Sequence, residues 1–531
     1  MKNAIILAAG KSSRFIPFTY EKPKGLFRVK GEILIERQIQ QLQKAGIAEI
    51  YVVVGYMKEK FFYLEKKYGV KLIINNMFDK MGNLYSLYMA KEHLANTYVC
   101  CADHYFVNNP FDEENYDNKS YRACAYIEGK FNEFAIEYSD AKVITDLAVG
   151  GESGMAMVGH AYFNSSFSRL FIKYMEKEIN DFGVSNMFWE EFYAKHQKQL
   201  TLYMKSYEKE NILEFESIDD LRQFDSEFLL NVDSDIIQNI VSVLKCDPNQ
   251  INKISVINSG LTNVSFAFKV GKMKYVYRHP GGTAGNLVNR KSEIYAQNIA
   301  KSIGIDESVI YMDSSGWKIS YYIEDAKKCD FGNSEEQLDT SMKYLRKLHS
   351  VEVNDEIKIF DNVSEGLKLI DIASLSKGNL RKEFSDIILK VVRLYKAIEE
   401  DAKTLGYKKV LCHNDTYEPN YLYDKQGKIF LIDWEYAGLN YAANDIGCIL
   451  CRNEFTDEQI EKYFTSYFGR TLNESEKRFY YAFIPISAFY WFAWGLYKGS
   501  VGDDDSFFFL PSYHNLIRFI DDALESYGIV V

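Results

Sequence analysis

Val410-Leu411-Cys412-His413-Asn414-Asp415-Thr416-Tyr417-Glu418-Pro419-Asn420, followed by Ile429-Phe430-Leu431-Ile432-Asp433-Trp434-Glu435, supplies an HxDxxxxN string, a short β-hairpin and a DxE. Phosphoryl transfer needs a carboxylate beside the acceptor hydroxyl and oxygen ligands for the Mg2+ that bridges nucleotide phosphates. Asp415 fits the first role. Asn420 and Asp433 fit the second, with Glu435 as an outer or second-metal ligand.

Upstream lie a strand pattern at 254–257, the turn Asn258-Ser259-Gly260-Leu261-Thr262-Asn263 and a strand at 264–270. A hairpin tip of small polar residues, Thr262 and Asn263 among them, can cover nucleotide phosphates. Next come Arg278, ending Tyr275-Val276-Tyr277-Arg278 on a strand, and Glu293, in Asn289-Arg290-Lys291-Ser292-Glu293 at the start of a helix. A strand cation followed by a helix acid is the order in which kinase folds hold a cation on ATP phosphates. Over about residues 250–531 the sequence resembles the choline kinase and aminoglycoside phosphotransferase families, a resemblance that extends to Leu345-Arg346-Lys347-Leu348-His349. It implies a two-lobed, protein-kinase-like α+β domain.

These two families differ in substrate logic. A polycationic aminoglycoside calls for an acidic cleft, whereas choline, whose quaternary ammonium has no proton to donate, calls for aromatic faces with limited acid. Tyr490-Trp491-Phe492-Ala493-Trp494-Gly495-Leu496-Tyr497 resembles the aromatic helix of choline kinases, with Trp491, Trp494 and Tyr497 three apart on one helical face. Tyr441 and Asp445 in NYAANDIG match that family's pattern of an aromatic and an acid at the choline pocket. An aromatic core stripe is the alternative reading of the same spacing.

The first 220 residues or so alternate strand-like runs with helical patterns, which reads as βαβ units around a mostly parallel, Rossmann-like sheet with flanking helices. Ligands of such sheets bind beyond the carboxyl ends of the strands. The loop after the first strand is Leu7-Ala8-Ala9-Gly10-Lys11-Ser12-Ser13-Arg14, with Pro17, Thr19 and Pro23-Lys24 beyond it. Small residues let backbone N–H groups approach a triphosphate, while Arg14 and Lys24 bring catalytic positive charge. The spacing is neither a P-loop nor GxGxxG.

The whole string LAAGKSSRFIPFTYEKPKGL resembles the signature of nucleotidyltransferases that activate sugars and amino alcohols. Through Asn83-Leu84-Tyr85-Ser86-Leu87 and Asp103 it looks closest to the bacterial CTP:phosphocholine cytidylyltransferases, over about residues 1–225. The resemblance implies CTP binding by Leu7, Ala8, Ala9, Gly10, Ser13, Arg14, Lys24, Asn83 and Ser86. It implies Mg2+ on Asp103, and on Glu190 of Phe188-Trp189-Glu190, where the family has Asp. Tyr85, Phe134, Tyr162 and Trp189 are expected to wall the phosphocholine site, Phe134 standing where the family has Trp.

At 531 residues, two or three domains are expected. The domain boundary is placed near residue 230, giving a cytidylyltransferase over 1–230 and a choline kinase-like phosphotransferase over 231–531. A 47% hydrophobic and 26% charged composition is that of a globular protein. A net charge of −11 without a basic run excludes nucleic acid as a partner. The cysteines are scattered apart from Cys448 and Cys451, and a lone CxxC reads as buried thiols rather than zinc. A cytoplasmic location is expected, since the chain opens on a strand rather than a signal peptide. Residues 480–497 are uncharged, but Pro485 and aromatics spread along their length fit a buried helix better than a membrane span.

The expectation is one chain phosphorylating choline with ATP and converting phosphocholine with CTP to CDP-choline, which a phosphocholine transferase acting on surface glycans or lipids would use. Three rivals stand beside it. The first is the same chemistry on ethanolamine or 2-aminoethylphosphonate; the second is an aminoglycoside-type kinase fused to a sugar nucleotidyltransferase; the third makes one half a silent sensor.

Overall fold

The apolar run at the start of the chain forms the strand Lys2–Ala8, paired in parallel on both sides, with Leu7 opposite Val53 and Cys101. Ile5 and Leu7 enter one core layer and Ala4, Ile6 and Ala8 the other, as expected for a central strand buried on both faces. The computed structural model describes residues 2–112, 119–257, 263–280, 288–353, 357–502 and 506–530.

The protein is mixed α/β. Its first sheet has the spatial order Tyr203–Ser206, Tyr121–Tyr138, Ile144–Phe163, Asn96–Cys101, Lys2–Ala8, Ile50–Val54 and Lys71–Ile74. The last four of these are parallel. Ile144–Phe163 runs antiparallel to both its neighbours, making with Tyr121–Tyr138 a long hairpin that no local periodicity announced. Because Lys2–Ala8 lies between strands reached by connections in opposite directions, its carboxyl end is a switch point, where such sheets open a ligand crevice.

Two compact units divide the chain, Met1–Val256 and Ile257–Val531. The first extends past residue 230 because its own side chains hold the segment that follows. Lys22 Nζ donates to the carbonyls of Val232 (2.9 Å) and Asp233 (2.7 Å), and Glu21 accepts from the Ile236 amide (2.9 Å) at the start of the helix Asp235–Leu244.

In the second unit, antiparallel strands Asn263–Val270, Met273–Pro280, Lys318–Tyr321 and Val309–Met312 lie side by side in that order. The helix Arg290–Ser302 follows Met273–Pro280 in the chain. The rest is a helical lobe that includes Glu335–His349, Ala442–Leu450, Glu474–Ser500 and Ser506–Ser526, with two small sheets. The uncharged stretch 480–497 falls inside Glu474–Ser500 and is largely buried in the core of this lobe. Among the described residues no helix is long and apolar enough to cross a membrane.

Candidate functional site

In the first unit, Leu7, Ala8 and Ala9 are buried at the carboxyl end of the central strand, and the chain surfaces at Gly10, Ser13 and Arg14. Nothing lies within 4 Å of a Cβ placed on Gly10, so backbone approach to the loop is open there. Arg14 is exposed and ion-paired with Glu216. Lys24 is buried; its Nζ donates to Asp103 Oδ2 (2.8 Å) and the Phe215 carbonyl (2.7 Å) and lies over the Phe15 ring at 4.4 Å. Burial raises the Asp103 carboxyl, but the charges of Lys24 and His104 outweigh it and hold it down at about 2.

Glu190 enters the first turn of Trp189–His196, where a helix N-terminus favours a carboxylate. It lies 3.4 Å from Arg122 Nη2, yet burial still raises its pKa above the usual Glu range. Burial pushes the Cys101 thiol up, and the negative charges of Asp103, Glu190 and Glu214 raise it further. Glu214, not singled out in the sequence, pairs through Oε2 with His104 Nε2 at 3.1 Å, across the strands His104–Phe106 and Ile212–Glu214. Oxygen donors of this kind suit a hard divalent cation.

Asn83 and Ser86 are held from below. Asn83 Oδ1 accepts the Trp189 amide (2.7 Å), and Ser86 Oγ accepts from Asn75 Nδ2 (3.0 Å). Trp189 is packed edge-on against Phe163, and Tyr85 and Phe134 flank the same core layer. Tyr162 does not join them: adjacent strand residues face opposite ways, and it packs with Tyr98 and Tyr121 in the other layer.

Gly82 allows the loop 185–189 to close on the start of the helix Asn83–Met89, since a Cβ there would sit 2.2 Å from the Met187 carbonyl oxygen. Gly82→Ala is expected to destabilise the first unit by about 1–3 kcal/mol, the range of overpacking, and to weaken nucleotidyl transfer by opening the Asn83–Trp189 contact. Thermal melting and a nucleotidyl-transfer assay on the variant check this; an unchanged melting temperature would refute it.

In the second unit, Arg278 is buried and ion-paired with Glu293 (2.6 Å), 3.5 Å from Asp433, and donates to the Gly316 carbonyl (3.0 Å). Arg290 holds the other oxygen of Glu293 at 2.6 Å. A cavity of about 430 Å³ is lined by Arg278, Lys318, Asn420 and Asp433 among others. Lys318, directly across the strands from Arg278, is brought there by strand pairing and carries no local sequence signal; burial and the neighbouring guanidinium lower its pKa. Thr262 lies outside the described residues, as does the side chain of Asn263.

Asn420 Nδ2 donates to the Asp415 carboxylate (3.0 Å) and to its carbonyl (2.9 Å), which leaves its own carbonyl oxygen for another partner. Asp433 takes a left-handed conformation at φ 68°, a strained backbone of the kind found at functional sites. Its carboxylate and the Asn420 oxygen line the same cavity, and oxygen donors of this kind suit a hard divalent cation. Glu435, two residues on from Asp433, is buried. Asp415 is buried, and burial raises its pKa even though Arg452 donates to Oδ1 at 2.7 Å.

Trp491 and Trp494 are buried with ring centroids 5.8 Å apart, and Trp491 also meets Tyr436 and Tyr490 edge-on; Tyr497 is half-buried beyond them. Tyr441 belongs elsewhere, its hydroxyl on Glu399 (3.2 Å) and its ring against Phe479 and Phe483. Asp445, expected to border the pocket, instead accepts the amides of His413 (2.9 Å) and Asn414 (2.7 Å) and faces His349 (3.0 Å), fixing the loop that carries Asp415. Cys448 and Cys451 are free buried thiols.

A switch-point loop with Lys24 and carboxylates, and a separate cleft with Arg278, Glu293, Asn420 and Asp433, define a chain carrying a nucleotidyltransferase and a kinase-fold phosphotransferase. Residues 4–131 match the MobA-like NTP transferase domain family, and residues 254–484 match the Choline/ethanolamine kinase family. A choline-phosphate cytidylyltransferase of Streptococcus pneumoniae is 35% identical over 222 residues, covering 42% of this chain and 96% of the relative. A 2-aminoethylphosphonate cytidylyltransferase of Lancefieldella rimae is 33% identical over 229 residues, covering 42% of this chain and 92% of the relative. The crystal structure of choline kinase LicA from Streptococcus pneumoniae is 23% identical, with a TM-score of 0.45 over 54% of this chain and 98% of that one.

The chain belongs to the cytidylyltransferase family of the first two relatives and carries a choline/ethanolamine kinase domain behind it. It is a transferase of phosphorus-containing groups, a bifunctional kinase and cytidylyltransferase. Both families act on nucleoside triphosphates with a divalent metal.

Proposed function

We propose that the second unit phosphorylates choline with ATP and the first converts the phosphocholine with CTP to CDP-choline and pyrophosphate. The observation that carries this reading is the pairing on one chain of a choline/ethanolamine kinase domain with a cytidylyltransferase unit 35% identical to an enzyme named for choline-phosphate. The product of the first reaction is then the substrate of the second.

In the kinase unit Asp415 accepts the hydroxyl proton of choline as its oxygen bonds to the γ-phosphorus and the bond to ADP breaks. Arg278, steadied by Glu293, meets the ATP phosphates with Thr262 and Asn263. Asn420, Asp433 and Glu435 hold Mg2+, which supplies neutralisation of phosphate charge. Trp491, Trp494 and Tyr497 offer aromatic surface to the ammonium, Tyr436 taking the place expected of Tyr441. In the cytidylyltransferase unit the loop 7–14 and Lys24 bind the CTP phosphates. Asp103 and Glu190, with Glu214 close by, hold Mg2+, while Asn83 and Ser86 order the helix beside the nucleotide. A phosphocholine oxygen attacks the α-phosphorus of CTP and pyrophosphate leaves. We place these reactions in the cytoplasm, with a phosphocholine transferase consuming the product.

A second reading puts an amino-alcohol relative of choline or 2-aminoethylphosphonate in the first unit. The 33% identity to the aminoethylphosphonate enzyme favours it. Incubating protein, Mg2+, ATP and CTP with choline, ethanolamine or 2-aminoethylphosphonate, and following products by mass spectrometry, separates the readings. CDP-choline from choline is expected; conversion of ethanolamine or 2-aminoethylphosphonate without any phosphocholine would overturn the choline assignment.

A further inference from the structure

Arg452 occupies the aromatic face and the carboxylate that the proposed function assigns to the acceptor. It follows the helix Ala442–Leu450, just past its C-cap Cys451, at a buried position; its guanidinium lies 3.5 Å over the Trp491 ring and 4.8 Å over Tyr417 while donating to Asp415 Oδ1 at 2.7 Å. Both features a quaternary ammonium would seek, an aromatic face and a carboxylate, are therefore already engaged by a cation of the protein. The Trp494 face is approached similarly by the buried Lys498, at 5.6 Å.

Charge decides what happens when choline arrives. Asp415 and Arg452 form a neutral buried pair. A trimethylammonium added beside them sets a second buried cation against the one carboxylate that Arg452 contacts, which a low-dielectric site tolerates poorly. Exchange of one cation for the other keeps the balance, and a flexible arginine side chain is the partner able to leave.

We propose that Arg452 is a gate: its guanidinium is displaced from Trp491 and Asp415 by the ammonium of the acceptor, and only then is the Asp415 carboxylate released to take the acceptor's proton. This rests on the choline reading above. The gate withholds Asp415 from water while no acceptor is bound. Without it, water would attack the γ-phosphorus as the bond to ADP breaks, its proton passing to Asp415 and on to solvent, and ATP would be hydrolysed without product. Arg452 is thus a positioning and specificity residue, selecting acceptors by their ability to replace a guanidinium on an indole face.

Tetramethylammonium, a cation without a hydroxyl, tests this on the unaltered protein. Added with ATP and Mg2+, it is expected to raise ATP hydrolysis several-fold by opening the gate. In Arg452→Gln, choline-independent hydrolysis is expected to be high already and insensitive to tetramethylammonium. The KM for choline should fall about tenfold with little change in kcat, because the fraction of enzyme competent to bind is no longer reduced by the closed gate. Choline turnover without stimulation by tetramethylammonium overturns the gate alone, as does an unchanged or higher KM in a folded Arg452→Gln. Absence of choline turnover in the unaltered protein overturns the choline reading and the gate together. Should Arg452→Gln not fold, the tetramethylammonium experiment still decides.

Discussion

Asp415→Asn is expected to lower phosphorylation of choline by about 10²–10⁴-fold, the range for loss of a positioned general base, while conversion of added phosphocholine to CDP-choline continues at its normal rate. The geometry says why so small a change should act so strongly. Asp415 accepts through both oxygens, Oδ1 from Arg452 (2.7 Å) and Oδ2 from Asn420 (3.0 Å). An asparagine offers one acceptor to these two donors, and its own NH2 must face one of them. The substitution thus removes the base, disturbs the side chain proposed to carry metal, and leaves the buried Arg452 without its carboxylate. That last effect alone costs about 3–5 kcal/mol in comparable buried pairs, so melting of the second unit should be followed alongside activity. The pH profile gives a second check. Burial raises the pKa of Asp415, so the carboxylate forms only at higher pH than for an ordinary Asp, and kinase activity should fall as pH drops through that raised value. Loss of cytidylyl transfer in a well-folded Asp415→Asn would show that the two reactions do not reside in separate units.

The loop after the first strand, the Arg278–Glu293 pair and the string around Asp415 could be read from the chain because each is local: a handful of residues whose spacing is itself the chemistry. Arg278 meets Glu293 at 2.6 Å, the pair that the order strand cation then helix acid implied; the contact of Lys24 with Asp103 at 2.8 Å, across seventy-nine residues, was not implied by the sequence. What was not legible depends on register and on long-range pairing. Tyr162 sits one residue from Phe163, and which of the two faces Trp189 is fixed only by how Ile144–Phe163 pairs with Asn96–Cys101. Tyr441 and Asp445 follow the metal motif at a familiar spacing, yet the first turns toward Glu399 and the second underpins the backbone of His413 and Asn414. Glu214 reaches His104, next to Asp103 in the chain, through a two-stranded pairing with no sequence signature. Arg452 did leave a signal, a single charge ending an otherwise apolar run, which is costly unless a partner waits for it.

Asp103→Asn is expected to do the converse of Asp415→Asn, lowering cytidylyl transfer by about 10²–10³-fold, the cost of losing one preorganised charge at a reacting phosphate, and sparing phosphorylation of choline. Here stability and chemistry are entangled, because Asp103 also neutralises Lys24, whose side chain is only 5% exposed. With the carboxylate gone, Lys24 keeps the Phe215 carbonyl and the Phe15 ring but no carboxylate in direct contact. The first unit should therefore lose about 3 kcal/mol, the low end for an orphaned buried charge, since Asp103 itself is 24% exposed and water can reach the vacated position. A double-mutant cycle separates the two effects. Lys24→Met combined with Asp103→Asn removes both charges, so it should recover most of the lost stability, measured by denaturant unfolding, while cytidylyl transfer stays as low as in either single variant or lower. If restoring stability also restored transfer, Asp103 would be a structural partner of Lys24 and the centre holding the CTP phosphates would have to lie with Glu190 and Glu214 instead. The ion pair adds a pH dependence of known sign: with the Asp103 pKa held at about 2 in the fold, its contribution is fully present above the ordinary Asp pKa and is lost as pH falls toward 2. In the double variant that acid-sensitive component of stability should be gone.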